Sequence, residues 1–516
     1  MRDALVALVG DGEKLVSVWD QDETIGWVYQ YFTPKELRER ARSESSAPRN
    51  AYELAFRNQF YTPRYVVRFL TENTLGRLWY EMRRGQTELI DACPYLVYRP
   101  NEVFLAPGDV TSDQPDSNTA NADEPPVYVP HRPKKDPREI RVLDPACSSG
   151  HFLLYCFDLL ERIYEEAYAD ADLGPDLQAE YGSYEAFERA VPQLILRHNL
   201  HGIDIDLRAT QIAGLALWLR AQRFFAEREI PRDDRPPIRR ANVVCAEPMP
   251  GETSMLEEFL QTLDGDRLRA LVSDALELAP DQAPQVTATM AESLRNLVRT
   301  VWGQMELVSE AGSLLKVDEA LQAAIDDGRR EWEEQLPLLR MTELSLTEQP
   351  KEHYYRFIPE DVNSFWTQAE RIVDVALRDY IEHATNGRDY QRRLFAEDAL
   401  QGFAFIDLCR RSYDVVLMNP PFGKPSKPSK AYVDKTYPRT KNDVYAAFVE
   451  RGLGWLQPGG LLGAITSRTG FFLSSFQKWR EEILLGEAHP TVVADLGYGV
   501  LDTAMVETAA YCLAKP

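Results

Sequence analysis

The sequence predicts an α/β fold in which an open, mostly parallel sheet is split by a large helical block. Three observations predict it. Residues 415–418 (Val415, Val416, Leu417, Met418) form a short apolar run that stops at Asn419-Pro420-Pro421-Phe422, as a buried parallel strand does where it leaves a sheet. Ile140, Val142 and Leu143 lead through the turn Asp144-Pro145-Ala146-Cys147-Ser148-Ser149-Gly150 into Leu153, Phe157, Leu160, Tyr164 and Ala167 at helical spacing. From about 251 to 401 the pattern changes to long amphipathic helices.

The bulk numbers bound the answer. A chain of 516 residues holds about three domains, each able to bury a core. An apolar fraction of 44% and a charged fraction of 27% are ordinary for a globular protein. No run of eighteen apolar residues suggests a membrane span, and the N-terminus lacks the pattern of a secretion signal, so the expected location is the cytoplasm. The cysteines (Cys93, Cys147, Cys156, Cys245, Cys409, Cys512) are scattered without zinc spacing, which points to reduced, structural thiols and no metal site.

Taken in order, residues 1–135 read as an N-terminal helical region. It opens with aromatic and charged residues (Trp19, Trp27, Tyr29, Tyr31, Phe32). In the motif that follows, within 59–80, Thr62 is placed to cap a helix, Pro63 suits its first position, and Tyr65, Val66, Phe69 and Leu70 give it an apolar face that continues toward Trp79. Residues 108–126 are rich in Asp, Ser, Asn and Pro and read as a mobile loop.

Residues 136–250 form the first half of the sheet. The small residues of the 144–150 turn allow a ligand close to the backbone, and amides at a helix start favour an anionic group. A second strand, 200–204, ends in Asp204-Ile205-Asp206 before a helix through Ile212, Leu215 and Leu219. An acid there accepts hydrogen bonds from ribose hydroxyls of a ligand lying on the first loop, and helix capping is the plainer alternative. The long stretch between the two strands requires extra helical turns. Val243, Val244 and Cys245 read as a third strand, with Glu247 beyond its end.

Residues 251–401 are the helical insertion. Leu294, Leu297, Val298, Val301, Met305 and Val308 make one stripe, and Phe365, Ala369, Ile372 and Ala376 another, both read as packed core. Residues 402–516 resume the sheet with 415–418, a helix near 445–456, a strand at 461–465, and two last strands at 492–493 and 509–513. Strand material reaches almost to Pro516, which suggests a piece of a longer protein.

A net charge of −23 argues against a broadly phosphate-coating surface. Locally, however, Lys424, Lys427, Lys430, Lys435, Arg439 and Lys441 face the single acid Asp434 just after the Asn-Pro-Pro-Phe turn. This stretch is either a phosphate contact or a solvated basic loop.

Together these segments resemble, in content and in order, the gamma class of amino-methyltransferases that use S-adenosylmethionine. Within that class, residues 22–31 and 59–64, with His151 and Phe152 after the loop, look most like the large adenine-specific methyltransferases of BREX phage-defence systems. The resemblance implies a Rossmann-like methyltransferase sheet of seven strands, mostly parallel, and a cytoplasmic enzyme that methylates N6 of a flipped adenine in double-stranded DNA, alongside other subunits of a defence system. It implies that Asn419, Pro420, Pro421 and Phe422 are catalytic. It implies that Thr62, Pro63, Asp144, Pro145, Ala146, Cys147, Ser149, Gly150, His151, Phe152, Asp204, Ile205 and Glu247 hold the cofactor, with Lys424, Lys427, Lys430 and Lys441 against DNA. Two departures stand out: Ser148 occupies a position where relatives carry glycine, and Phe422 replaces the commoner tyrosine. The tetrad is shared with enzymes that methylate glutamine amides or RNA bases, and a non-catalytic DNA- or cofactor-binding module is an alternative of another kind.

Overall fold

The computed structural model describes residues 24–30, 35–45, 47–57, 60–109, 126–238, 241–275, 288–323, 372–373, 375–380, 389–501 and 506–516. Trp19, Tyr31, Phe32, Phe365, Ala369 and nearly all of the 108–126 stretch lie outside them. The chain divides into two compact units, one made of 1–245 with 411–516 and the other of 246–410.

The first unit is built on a sheet. After a short parallel pair, β1 (Glu102–Phe104) and β2 (Val127–Val129), come β3 (Val142–Asp144), β4 (Leu200–Asp204), β5 (Asn242–Cys245), β6 (Tyr413–Met418), β7 (Leu456–Ser467), β8 (His489–Gly497) and β9 (Thr508–Ala514). The last seven form one sheet in the order β5-β4-β3-β6-β7-β9-β8. Its pairings are parallel except that β9 runs antiparallel to both β7 and β8. Every residue of β3 and β6 is buried, which accounts for their unbroken apolar runs. Asp144 and Asp414 are the acidic exceptions, and the Asp414 carboxylate accepts from Lys135 Nζ at 2.7 Å and Arg141 N at 2.9 Å.

The chain runs outward from β3 through β4 to β5, then returns to lay β6 on the other side of β3. The carboxyl ends of β3 and β6 therefore flank the point where strand order reverses, and an open α/β sheet has its crevice there. The helices that frame this end are α1 (Thr24–Gln30), α2 (Arg64–Thr71), α3 (His151–Ala169), α4 (Leu207–Glu227) and α5 (Val444–Trp455). In α3 the expected stripe of Leu153, Phe157, Leu160, Tyr164 and Ala167 is fully buried. Two further helices, Gly174–Tyr181 and Tyr184–Leu194, and a π-turn at Ile195–Asn199 fill the long connection to β4.

One local expectation fails. Thr62 does not cap α2; Pro63 is the capping residue and makes no side-chain cap, leaving the Thr62 hydroxyl for another partner. In α4 the buried face is Ala209, Ala213, Ala216, Leu217, Ala221, Phe224 and Phe225, whereas Leu215 is exposed and Ile212 and Leu219 lie at the margin. Alanines bring this helix close to its neighbours, so close packing rather than side-chain size selects the face.

The second unit is helical, including Thr253–Thr262, Gly265–Ala275, Ala288–Gln304 and Asp389–Arg410. The stripe from Leu294 to Val308 is buried, as are Ile372 and Ala376. Trp302 stacks on Phe395 with centroids 5.6 Å apart, so the stripes serve as core.

Candidate active site

The turn after β3 is wired by its own backbone. Asp144 ends the strand buried, and its Oδ1 accepts from Ala146 N at 3.1 Å. Cys147 N donates to Ile203 O on β4 at 2.9 Å, and Gly150 N closes the turn onto Cys147 O at 2.8 Å. Gly150 has φ 88, and a Cβ there would stand 3.1 Å from the Ala213 Cβ, so both conformation and space require glycine. Ser148 has φ 47 despite its side chain, an uncommon left-handed position that the sequence departure had marked. Its N–H donates to Asp204 Oδ2 at 2.8 Å, while Asp206 N donates to Asp204 Oδ1 at 2.8 Å.

Asn419 opens the opposing segment at the carboxyl end of β6. Its Nδ2 donates to Phe60 O at 3.1 Å and to Thr62 Oγ1 at 2.9 Å. A backbone carbonyl only accepts, so these bonds decide which way the amide points. The other end, Oδ1, is buried and has no hydrogen-bond partner among the described residues. A desolvated carbonyl oxygen left open in this way costs about 1–3 kcal/mol unless a ligand satisfies it.

The two segments face one another. A cleft with about 450 Å³ of open space is lined by Asp144, Ala146 to Ser149, His151 and Phe152 on one side, Asn419 on the other, and Phe60, Tyr61, Thr62, Gly26 and Tyr29 around them. His151 adds a second open polar atom: Nδ1 lies 3.3 Å from Ser149 Oγ, while buried Nε2 meets no partner among the described residues. Burial pushes the His151 pKa down to about 4, so the ring is neutral at ordinary pH.

Helix α1 closes the cleft from above. Gly26 sits so near the turn that a Cβ would come within 2.5 Å of Ser149 Oγ. Trp27 packs on Tyr61 at 4.6 Å and Tyr61 meets His151 edge-on at 4.6 Å. The Tyr29 hydroxyl donates to Asp206 Oδ2. Asp206 also accepts from Arg208 N at 3.0 Å, so for this second acid the capping role holds.

The acids are electrostatically unusual. Burial raises the Asp204 pKa to about 6 against the pull of its backbone donors, and burial with the charge of Asp204 raises Asp144 well above the carboxylate range. Cys147 is likewise pushed up by burial first and by both acids. Beyond the tetrad, Asp443 Oδ1 accepts from Gly423 N at 2.7 Å and from Tyr445 N at 3.3 Å, tying the turn to α5. Its burial raises the pKa to about 7.

Of the expected residues, Thr62, Asp144, Ala146, Cys147, Ser149, His151, Phe152 and Asn419 meet in the cleft. Pro63, Pro145, Gly150, Asp204 and Ile205 frame it without lining it, and Glu247 follows β5 in the other compact unit. Phe422 is buried, meeting Phe60 at 5.6 Å and Tyr445 edge-on at 6.1 Å. Lys424, Lys427, Lys430 and Lys441 are exposed, and only Lys430 has an ion pair among the described residues, with Asp434. Sequence reasoning placed Phe60 and Tyr61 in the cofactor-proximal motif within 59–80, and Gly26 and Tyr29 in the 22–31 stretch that carries the resemblance, without giving any of the four a contact of its own; it gave no role to Asp443.

Among the described residues no group of His, Cys, Asp or Glu is arranged to hold a metal, and no helix is long and apolar enough to cross a membrane. All six cysteines are buried and free.

Comparison with known proteins places this geometry in a family. The family model for the Eco57I restriction-modification methylase matches residues 198–499, and that for the MmeI DNA-methyltransferase domain matches residues 133–247. The adenine-specific methyltransferase BrxX of Escherichia coli O9:H4 (strain HS) is 24% identical over 509 residues, covering 96% of this chain and 33% of that protein. The adenine-specific methyltransferase PglX of Lacticaseibacillus casei (strain Zhang) is 23% identical over 511 residues, covering 96% of this chain and 32% of that protein. A chain of the solved DrdV–DNA complex aligns with 96% of this one and 29% of itself at 11% identity and a TM-score of 0.40. This chain thus spans about a third of the length of the curated relatives it matches. Because the Eco57I model accounts for more than half of its residues, the chain belongs to the Eco57I restriction-modification methylase family.

Proposed function

We propose that this chain is the cofactor-binding and catalytic part of a Rossmann-like, S-adenosylmethionine-dependent methyltransferase acting on N6 of a flipped adenine in double-stranded DNA, in phage defence or restriction-modification. One observation carries the reading: Asn419 lines the cleft together with the β3 turn, and its buried Oδ1 has no partner among the described residues. The names of BrxX and PglX as adenine-specific methyltransferases support the choice of base.

The residues present fit the cofactor. The small residues of the β3 turn let a ligand lie close to the backbone, Asp204 beside the cleft is the acceptor for ribose hydroxyls, and Asp144 with neutral His151 lines the part of the cleft given to the amino-acid end. Pro63, Pro145, Gly150 and Ile205 shape the walls. When bound, the cofactor supplies a methyl group on positively charged sulfur.

An exocyclic adenine amine is a poor nucleophile because its lone pair is delocalised into the ring. Asn419 Oδ1 and the Pro420 carbonyl accept its two N–H groups and favour the pyramidal nitrogen that attacks, an interaction strengthened in the transition state. Thr62 and Phe60 hold the amide in the orientation this requires. Pro421 stiffens the turn, and the base stacks on Phe422. A duplex base reaches such a cleft only by leaving the stack. Lys424, Lys427, Lys430 and Lys441 receive the phosphates, and the chain works beside other subunits of a defence system.

The test is transfer of labelled methyl from S-adenosylmethionine to unmethylated genomic DNA, with cofactor binding measured first. Transfer to adenine N6 that falls by about 100-fold or more in Asn419→Ala, with cofactor affinity retained, supports the reading. Label appearing in RNA or protein instead, or transfer indifferent to Asn419→Ala, overturns it.

A further inference from the structure

We infer that the loop after β7 carries an apolar wedge, Phe472 with Leu473, that enters the base stack of duplex DNA beside the flipped adenine. This rests on the proposed function and assigns a surface to it.

β7 lies next to β6 and parallel to it, so the loop leaving Ser467 emerges at the same edge of the sheet as Asn419. At its tip Phe472 is 68% exposed and Leu473 50% exposed. Looseness does not explain this exposure. Phe472 N and Leu473 N both donate to Thr469 O, at 3.1 and 3.0 Å, and Phe476 N donates to Leu473 O at 3.1 Å. Arg480 Nη1 clamps the loop from behind through Gly470 O and Leu473 O, each at 2.7 Å. Below the tip, Phe471 packs edge-on against Trp479 at 5.4 Å and Tyr511 at 5.5 Å. Two large apolar side chains held rigidly into water call for a partner that covers them.

The surroundings select that partner. Phe476 stacks on Tyr445 at 5.6 Å, and Tyr445 meets Phe422, so the tip and the tetrad share one aromatic base. Asn442 Nδ2 donates to Ser475 O at 2.5 Å, which joins the loop to the end of the basic segment. Exposed Lys441 and Lys478 flank the junction, and Arg468, which pairs with Asp495 and Glu507 at 2.8 Å each, lies over the Phe472 ring at 5.4 Å. An apolar tip beside two exposed lysines suits a polyanion with a hydrophobic stack at its centre. Filling the gap left by an extruded base offsets the cost of unstacking it.

The experiment compares methyl transfer by wild type and the Phe472→Ala/Leu473→Ala variant on unmethylated genomic duplex and on the same DNA as denatured single strands. The wedge predicts at least about a tenfold loss on duplex, transfer to single strands within about twofold of wild type, and unchanged cofactor affinity. Phe472→Trp, which keeps a stacking face, retains transfer to duplex. Equal loss on both substrates, or no loss on duplex, overturns the wedge and leaves the proposed function standing. Unchanged transfer with lost capture of another protein subunit overturns it in favour of a protein contact. A wild type that methylates neither DNA overturns the wedge together with the functional reading.

Discussion

The Asn419 amide nitrogen lies 2.9 Å from the Thr62 hydroxyl, joining the end of β6 to the entrance of α2 across 357 residues of sequence. This bond, with that to Phe60 O, fixes the amide and leaves Oδ1 as its open end among the described residues. Thr62→Val keeps the shape of a buried side chain and removes the acceptor. The amide is then held by one bond, and turnover is expected to fall about tenfold with the cofactor dissociation constant unchanged. Single-turnover kinetics beside equilibrium cofactor binding separate the two effects.

Ser148 holds φ 47 and uses its N–H to reach Asp204. The left-handed conformation costs a residue with a Cβ about 1–2 kcal/mol, against about 0.5–1 kcal/mol of extra chain entropy when glycine replaces it. Ser148→Gly is therefore expected to stabilise the chain by up to about 1 kcal/mol and to tighten cofactor binding, measured by urea unfolding and by titration. A loss of stability shows that the serine side chain contributes more than the strain costs.

Asp204 titrates at about 6 because burial disfavours its charge. In the proposed binding mode ribose hydroxyls donate to the carboxylate, so cofactor affinity is expected to be full well above pH 6 and to fall by up to about tenfold per unit below it. Asp204→Asn binds more weakly above pH 6 and with a flat profile from pH 5 to 8. Without cofactor the sign for stability is opposite. The folded pKa exceeds the ordinary value of 3.8, so the neutral acid's advantage is fully present below that value and is lost as pH rises through about 6.

Tyr29 donates to Asp206, two residues along the backbone from Asp204 and bonded to it through its N–H. Tyr29→Phe keeps the ring beneath Arg208 and loses the tie that holds α1 over the cleft. Cofactor dissociation is expected to quicken about three- to tenfold, with turnover at saturating cofactor within about twofold of wild type. Stopped-flow release of bound cofactor measures it, and an unchanged rate removes α1 from the role of cover.

The sequence by itself determined the elements whose signal is local. β3 and β6 are buried on both faces and so read as unbroken apolar runs, the small-residue turn reads from its composition, and α3 reads from its period. The stop at Asn419-Pro420-Pro421-Phe422 is equally local, because proline removes a donor and restricts its neighbour. Only the tertiary structure decided what depends on residues far apart in the chain. Strand order puts the carboxyl ends of β3 and β6 side by side, and nothing in either segment encodes the other's position. The partner of Thr62 was misread because a hydroxyl before a helix satisfies either a cap or a distant amide, and the fold supplies the amide. The helix through Ile212, Leu215 and Leu219 was legible, but which of its faces is buried was not: close approach to the turn selects Ala213 against Gly150. Gly26 and Tyr29 lie in the 22–31 stretch, but their place over the cleft arises only once α1 has packed.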